Sequence, residues 1–176
     1  QLGKVLFSGN PVRTTIRDAK PDKEYLAEKY GLATSKPYLL VLGGSQGAQR
    51  INELLGLMLD KLSVHFIVIH SAGKNGERYF SEKYAKLLEG KRKHYLVFSY
   101  IEEDLPTFMA SADIILSRAG GTIAEIAYLL KPSILVPFTH AAGNHQWKNA
   151  AFFEKYGMAQ VVDEGTITHH ALLAAL

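Results

Sequence analysis

The sequence contains no cysteine. This absence excludes a disulfide framework, a zinc–cysteine site and a thiol nucleophile. No apolar run reaches the roughly 18 residues that a membrane-spanning helix needs, and no signal peptide is visible. The histidines form neither an H-x-x-x-H nor an H-E-x-x-H pair, and no D-x-D motif occurs, so the sequence indicates no metal centre.

Charge of either sign is modest. The 20 Lys and Arg residues face 17 Asp and Glu residues, and the pI is near 9.0. This mild excess fits an anionic ligand or an anionic membrane surface, but it falls short of the dense basic stripe of a nucleic-acid-binding protein. The 176 residues are 47% hydrophobic and 21% charged, which is typical of one globular domain.

The sequence begins at Gln1 and stops at Leu176 inside a helix-like run, so we expect a piece of a longer protein.

Short apolar runs alternate with amphipathic stretches along most of the chain. Such runs are typical of parallel strands that are buried on both faces. The predicted strands are Tyr38–Leu42, Phe66–Ile69, Tyr95–Phe98, Ile114–Leu116, Ile134–Val136 and Gln160–Val162. The predicted helices are Pro21–Tyr30, a segment with an apolar stripe from Ile51 to Leu62, roughly Glu77–Leu88, Leu105–Ser111, Thr122–Leu130, His145–Tyr156 and Thr168–Leu176. This alternation predicts an α/β fold, a Rossmann-like domain with a mostly parallel sheet of about six strands and helices on both faces.

One apolar segment lies outside this alternation. Lys4–Phe7 has the composition of a strand, but Gly9-Asn10-Pro11 follows it and a long helical region separates it from the next strand. It is either an edge strand or the last strand of a preceding domain.

A glycine-rich loop, Gly43 to Ala48, follows the first core strand and precedes the best helix. Glycines let backbone N–H groups approach an anion closely, and a helix N-terminus favours negative charge. Ser45 can add a hydroxyl donor. The loop therefore predicts a phosphate site, although a tight turn that needs glycine for geometry alone also explains it.

The same loop matches G-x-S-x-G, the nucleophile elbow of serine hydrolases. Ser45 would be the nucleophile, and the chain order permits Asp163 and then His169 or His170 as triad partners. No HGG-like oxyanion segment occurs, and the chain is short for that fold. A serine hydrolase is the alternative from another functional class.

A second glycine turn, Arg118 to Thr122, follows the fourth strand, and Glu125 comes in the first turn of the next helix. Two such turns suggest a diphosphate joined to a sugar, with Glu125 accepting both hydroxyls of a ribose. A glutamate in a first turn also simply suits the helix dipole. A third polar loop, Pro137 to Gln146, could contact sugar hydroxyls, whereas capping or solvent exposure explains His140 or His145 alone.

Taken together, these segments resemble the MurG family of glycosyltransferases, which add N-acetylglucosamine to the lipid-linked muramoyl-pentapeptide of peptidoglycan precursors. The matching segments are Gly9 to Arg13, Gly43 to Ala48, Tyr100-Ile101, Arg118 to Glu125, and His140 through Gln146 to Ala150. They occur in the family's order and correspond to the C-terminal, donor-binding half of a two-domain GT-B enzyme. The resemblance implies that residues 1–13 are an inter-domain junction with a residual strand, and that residues 14–176 are the domain that binds the UDP-sugar.

The resemblance also implies the donor-binding residues. They are Arg13, Gly44, Ser45, Gln46, Gly47, Ile101, Gly120, Gly121, Thr122, Glu125, His145 and Gln146. Arg13 would help to hold the nucleotide, the backbone of Ile101 would pair with the uracil edge, and Glu125 would bind the ribose. The amides of both glycine turns would contact the diphosphate, and His145 and Gln146 would face the donor sugar.

The implied reaction inverts the anomeric centre and uses neither a metal nor a cofactor. Its partners would be UDP-N-acetylglucosamine, the lipid-linked MurNAc-pentapeptide, an N-terminal acceptor domain and the membrane surface, with no nucleic acid. The general base would belong to the acceptor domain, so no catalytic residue is assigned in this chain. The full enzyme would be cytoplasmic and peripheral, at the inner face of the cell membrane. A free-standing donor subunit that pairs with a separate acceptor subunit is the alternative within the same fold.

Overall fold

A computed structural model describes residues 10–44, 48–83, 93–139 and 142–176. Its six strands are β1 Tyr38–Leu42, β2 Ile67–Ser71, β3 Tyr95–Phe98, β4 Ile114–Ser117, β5 Ser133–Leu135 and β6 Gln160–Val161. Its described helices are α1 Thr14–Arg17, α2 Lys23–Tyr30, α3 Gln49–His65, α4 Lys74–Lys83, α5 Leu105–Ser111, α6 Ile123–Tyr128, α7 His145–Lys155 and α8 His169–Ala175, and a 3₁₀ turn covers Ala142–Asn144. The predicted α/β fold is confirmed. The predicted strand Lys4–Phe7 and the predicted end of the helix at Leu88 lie outside the described residues.

The six strands form one parallel sheet in the order β3-β2-β1-β4-β5-β6. The chain moves outward in one direction from β1 to β3 and then returns to the other side of β1 with β4. This reversal makes the carboxyl ends of β1 and β4 the topological switch point, where open α/β sheets bind their ligands. Leu42 at the end of β1 is paired with Ser117 at the end of β4. The two glycine turns therefore leave the sheet side by side.

The sheet is buried on both faces. All five residues of β1 are buried, which explains why its sequence is apolar without alternation. The predicted apolar stripe of helix α3 packs on one face of the sheet. Its residues are Ile51, Leu54, Leu55, Met58, Leu59 and Leu62. On the other face, α1, α2 and α5 contribute Ile16, Leu26 and Phe108 to a second cluster. Within the described residues, no helix is both long enough and apolar enough to cross a membrane.

Helix boundaries differ from the prediction where backbone geometry overrides the apolar pattern. The predicted helix Thr122–Leu130 runs only from Ile123 to Tyr128. It ends early because Leu130 adopts φ 53°, a left-handed conformation that terminates a helix.

Strand β2 extends to two polar residues, His70 and Ser71, beyond the predicted end at Ile69. His70 is fully buried, and its ring nitrogens lie 2.8 Å from the Tyr95 hydroxyl and 3.0 Å from Asn52 Oδ1. Asn52 in turn donates to the carbonyl of Ala72 at 2.9 Å. Because these partners satisfy the imidazole, a polar residue can occupy a core strand. Burial lowers the pKa of His70 to about 3.

Because of His70, we expect the protein to become less stable at acidic pH. The pKa of His70 in the folded protein lies below the ordinary value of 6.5. The contribution of neutral His70 to the free energy of unfolding is therefore intact above pH 6.5 and is lost as the pH falls towards 3. Between about pH 7 and about pH 4.5, urea titrations should record a fall in the free energy of unfolding on the order of a few kcal/mol from this group. His70→Gln should reduce the fall, whereas His65→Gln, at an exposed position, should not. An equal fall in native protein and His70→Gln would contradict this account.

Candidate functional site

A cleft of about 890 Å³ opens at the switch point of the sheet. This volume lies within the range of small-molecule sites. The predicted donor-binding residues that line it are Arg13, Gly44, Ile101, Gly120, Gly121, Thr122 and Gln146. They come from the segments that precede α1 and follow β1, β3, β4 and β5. The fold thus brings together residues that are far apart in the chain.

Not every predicted residue is part of this lining. His145 begins α7, is exposed, and does not line the cleft. Glu125 is buried and does not line the cleft either. Ser45, Gln46 and Gly47 lie outside the described residues, so their proposed phosphate contacts stay predictions.

The first glycine turn is required by the fold itself. A Cβ on Gly43 would lie 2.9 Å from the Ala48 nitrogen and 3.1 Å from the Ser71 oxygen. Gly44 has φ 77°, which disfavours any side chain. The geometric explanation of this turn is therefore sufficient for both glycines. Both nonetheless lie on the cleft, and the adjoining helix α3 begins without a side-chain cap at Ala48.

The second glycine turn is different. A Cβ on Gly120 or on Gly121 would meet no described atom within 4 Å, and neither residue has a positive φ. The fold therefore does not require glycine at these two positions. Thr122, at the start of α6, makes no side-chain cap. The absence of side chains on this wall leaves the backbone open to a close-fitting ligand.

Glu125 is paired with Arg13, a contact that the sequence did not reveal. Arg13 Nε donates to Glu125 Oε1 at 2.6 Å, and an Arg13 terminal nitrogen donates to Oε2 at 2.8 Å. The Glu125 side chain is 7% exposed and that of Arg13 is 50% exposed. The hydrogen bond to Glu125 raises the pKa of the Arg13 guanidinium. Two predicted donor-binding residues, 112 positions apart, thus form one unit.

Gln146 connects α7 to the loop that follows β5. Its side-chain oxygen accepts a hydrogen bond from the Phe138 N–H at 2.9 Å. One turn further along the helix, Asn149 donates to the Ala119 carbonyl in the second glycine turn at 3.1 Å. The start of α7 is therefore fixed to two walls of the cleft. Gln146 itself lines the cleft.

Four charged residues of the cleft wall had no role in the prediction, namely Arg50, Glu53, Arg118 and Glu164. Arg118 forms a partly buried ion pair with Glu164, which lies in the turn after β6. Arg118 was visible as the first residue of the second glycine turn. No pattern in the sequence indicates Glu164, because its partner lies 46 positions away and meets it only through the order of the strands.

Residues 38–176 match the model of the glycosyltransferase family 28 C-terminal domain. The chain belongs to this family. Two curated relatives, from Geobacillus kaustophilus and Bacteroides fragilis, carry the name UDP-N-acetylglucosamine--N-acetylmuramyl-(pentapeptide) pyrophosphoryl-undecaprenol N-acetylglucosamine transferase. The first is 36% identical over 98% of this chain and 46% of its own length. The second is 38% identical over 84% of this chain and 39% of its own length. The chain spans about half the length of the curated relatives it matches.

Solved structures agree with this assignment. The crystal structure of Acinetobacter baumannii MurG is 28% identical and superposes with a TM-score of 0.68 over 96% of this chain and 48% of its own. The resemblance to the MurG family is thereby confirmed. Escherichia coli heptosyltransferase II, at 14% identity and a TM-score of 0.55 over 98% of this chain and 53% of its own, shares the fold. The serine hydrolase alternative gains no support from these comparisons.

The described part of this family 28 domain contains no group of three or more His, Asp or Glu residues that could hold a metal ion. The donors around the cleft include backbone amides, the guanidinium groups of Arg13, Arg50 and Arg118, and the carboxamides of Gln49 and Gln146. This set is suited to an anionic ligand with hydroxyl groups.

Proposed function

We propose that this domain binds UDP-N-acetylglucosamine for an inverting transferase that glycosylates lipid-linked MurNAc-pentapeptide. One observation carries the proposal: the two glycine turns leave the sheet from paired residues, and glycine at positions 120 and 121 serves no need of the fold. The names of the relatives supply the donor sugar and the acceptor class. The complete enzyme would work at the cytoplasmic face of the membrane that carries the lipid acceptor.

The diphosphate would lie between the two glycine turns. The turn after β1 leads into the 17-residue helix α3, whose first N–H groups have no side-chain cap. Gly120 and Gly121 form the opposite wall. N–H groups from both sides could then stabilise the charge that develops on the departing UDP, as an oxyanion hole does.

Arg13 and Glu125 would recognise the ribose end of the nucleotide. An ionised carboxylate offers about four acceptor positions, so Glu125 can accept from ribose hydroxyls while it still accepts from Arg13. Arg13 also neutralises a buried carboxylate that would otherwise repel the nearby diphosphate. Its half-exposed side chain leaves it able to reach a phosphate oxygen. The uracil would then lie against the loop that contains the buried residue Ile101.

The acceptor hydroxyl would attack the anomeric carbon from the side opposite UDP. The bond between that carbon and the UDP oxygen breaks as the new glycosidic bond forms, so the configuration inverts. The hydroxyl proton would pass to a base in the acceptor half, and we assign no catalytic residue to this chain. The role of this domain is to hold the donor and to stabilise the leaving group.

We expect UDP to bind in the presence of EDTA. The amides and Arg13 already supply the donors that a diphosphate needs, so chelation should leave the dissociation constant unchanged. Calorimetric titration of the chain with UDP, in EDTA and then in excess Mg²⁺, measures this directly. Binding that appears only with Mg²⁺ or Mn²⁺ would contradict the proposed mode of diphosphate recognition.

A further inference from the structure

A partly buried ion pair joins the segments that follow two strands, on the wall of the cleft. Arg118 follows β4, and Glu164 lies in the turn after β6, two strands away. Each side chain is only 13% exposed, and both residues line the cleft. The nucleotide-binding role proposed above uses neither residue.

Arg118 also contacts the loop of the strand between them. One of its terminal nitrogens donates to the Val136 carbonyl at 3.1 Å, and its guanidinium carbon lies 5.4 Å from the centre of the Phe138 ring. The Phe138 N–H donates in turn to the side-chain oxygen of Gln146. A continuous series of contacts therefore runs from Glu164 through Arg118 and Phe138 to Gln146.

Stability does not account for this pair. Partial removal of two charges from water incurs a desolvation penalty that an ion pair often fails to recover. Glu164 Oε2 is buried and has no hydrogen-bond partner among the described residues, which adds to the penalty. The value of the pair therefore lies in where it holds the guanidinium, and hence in where it holds Phe138 and Gln146.

We propose that Arg118 and Glu164 are positioning residues that hold Phe138 and Gln146 in the geometry that receives the donor's sugar. This inference rests on the proposed function, because it assigns the sugar end of the same cleft. Arg118 lies in the second glycine turn, but its side chain contacts the segments that follow β5 and β6. The proposed nucleotide contacts come instead from the backbone amides of the two glycine turns and from Arg13. Disturbing the pair should therefore weaken recognition of the sugar more than recognition of UDP.

The test compares the affinities of the chain for UDP and for UDP-N-acetylglucosamine. Arg118→Met/Glu164→Met replaces the pair with apolar side chains of similar length and leaves no unpaired charge, so this variant should fold. Its preference for the sugar nucleotide over UDP should fall about threefold to tenfold, the contribution of one neutral hydrogen bond. Gln146→Ala should cause a similar fall, and combining the three substitutions should add little, because all act on one contact.

A matched control is available in α4. Arg78 and Glu82 form an ion pair at 2.8 Å, with side chains 80% and 65% exposed. Arg78→Met/Glu82→Met makes the same chemical change away from the cleft and should leave the preference unchanged. Thermal unfolding of each variant reports any loss of fold separately.

Two results would overturn the inference. One is an unchanged preference in Arg118→Met/Glu164→Met, and if both affinities then fell equally, Arg118 would be a diphosphate ligand. The other is the absence of any preference for the sugar nucleotide in the native chain. In both cases the native chain still binds UDP. Failure of the native chain to bind UDP at all would instead refute the proposed function.

Discussion

Gly121→Ala is expected to lose most of the affinity for UDP while the protein folds normally. The new methyl group would meet no described atom within 4 Å in the free protein, so nothing in the fold resists it. At an unstrained position, Gly→Ala stabilises a protein by about 0.4–1 kcal/mol through the unfolded chain. In the complex the methyl group would occupy the space of the diphosphate. Losing one charge-assisted hydrogen bond corresponds to an affinity about 10- to 100-fold lower.

Gly31→Ala should have the opposite effect, a lower stability with an unchanged affinity for UDP. Gly31 follows α2 with φ 67°, where alanine costs roughly 1–2 kcal/mol, and it does not line the cleft. Calorimetry and urea unfolding on both variants should show binding lost with stability kept for Gly121→Ala, and the reverse for Gly31→Ala. Native UDP affinity in Gly121→Ala would show that the diphosphate does not approach this turn.

The sequence predicts most of the sheet because buried parallel strands have a simple signature. β1 and β3 have the predicted boundaries, since each is a continuous apolar run. The prediction ended β2 too early because His70 and Ser71 are polar. Their burial depends on partners in α3 and β3 that no local pattern reveals. The short helix α1 was missed for a related reason, since Ile16 is its only buried residue.

The candidate site, like the fold, could be predicted from the sequence only in part. Glycine turns after strands can be recognised locally, and the sheet then places them together. The two ion pairs at the cleft cannot be recognised locally, because each needs the fold to bring distant residues into contact. Arg13 and Glu125 are 112 positions apart, and Arg118 and Glu164 are 46 apart. The sequence points to Arg13 and Glu125 as binding residues and to Arg118 only as part of a glycine turn, and it reveals neither pairing.

The pairing changes what a substitution at Glu125 can mean. Glu125→Ala removes the proposed ribose acceptor, but it also frees Arg13 from its anchor. A lower UDP affinity would therefore fit two roles, direct contact with the ribose or positioning of Arg13. Stability should change little, because the half-exposed guanidinium can return to water.

A nucleotide without the ribose 2′-hydroxyl separates the two roles. Native protein should bind 2′-deoxy-UDP about 10- to 100-fold more weakly than UDP, since a hydrogen bond to a charged carboxylate contributes roughly 1.5–3 kcal/mol. Glu125→Ala should bind both nucleotides equally, at the lower affinity, because neither then has a carboxylate to meet. Arg13→Ala is the matched control, which should weaken both nucleotides and still prefer UDP, since Glu125 remains. If Glu125→Ala kept its preference for UDP, the carboxylate would be an anchor for Arg13 and the ribose would be recognised elsewhere.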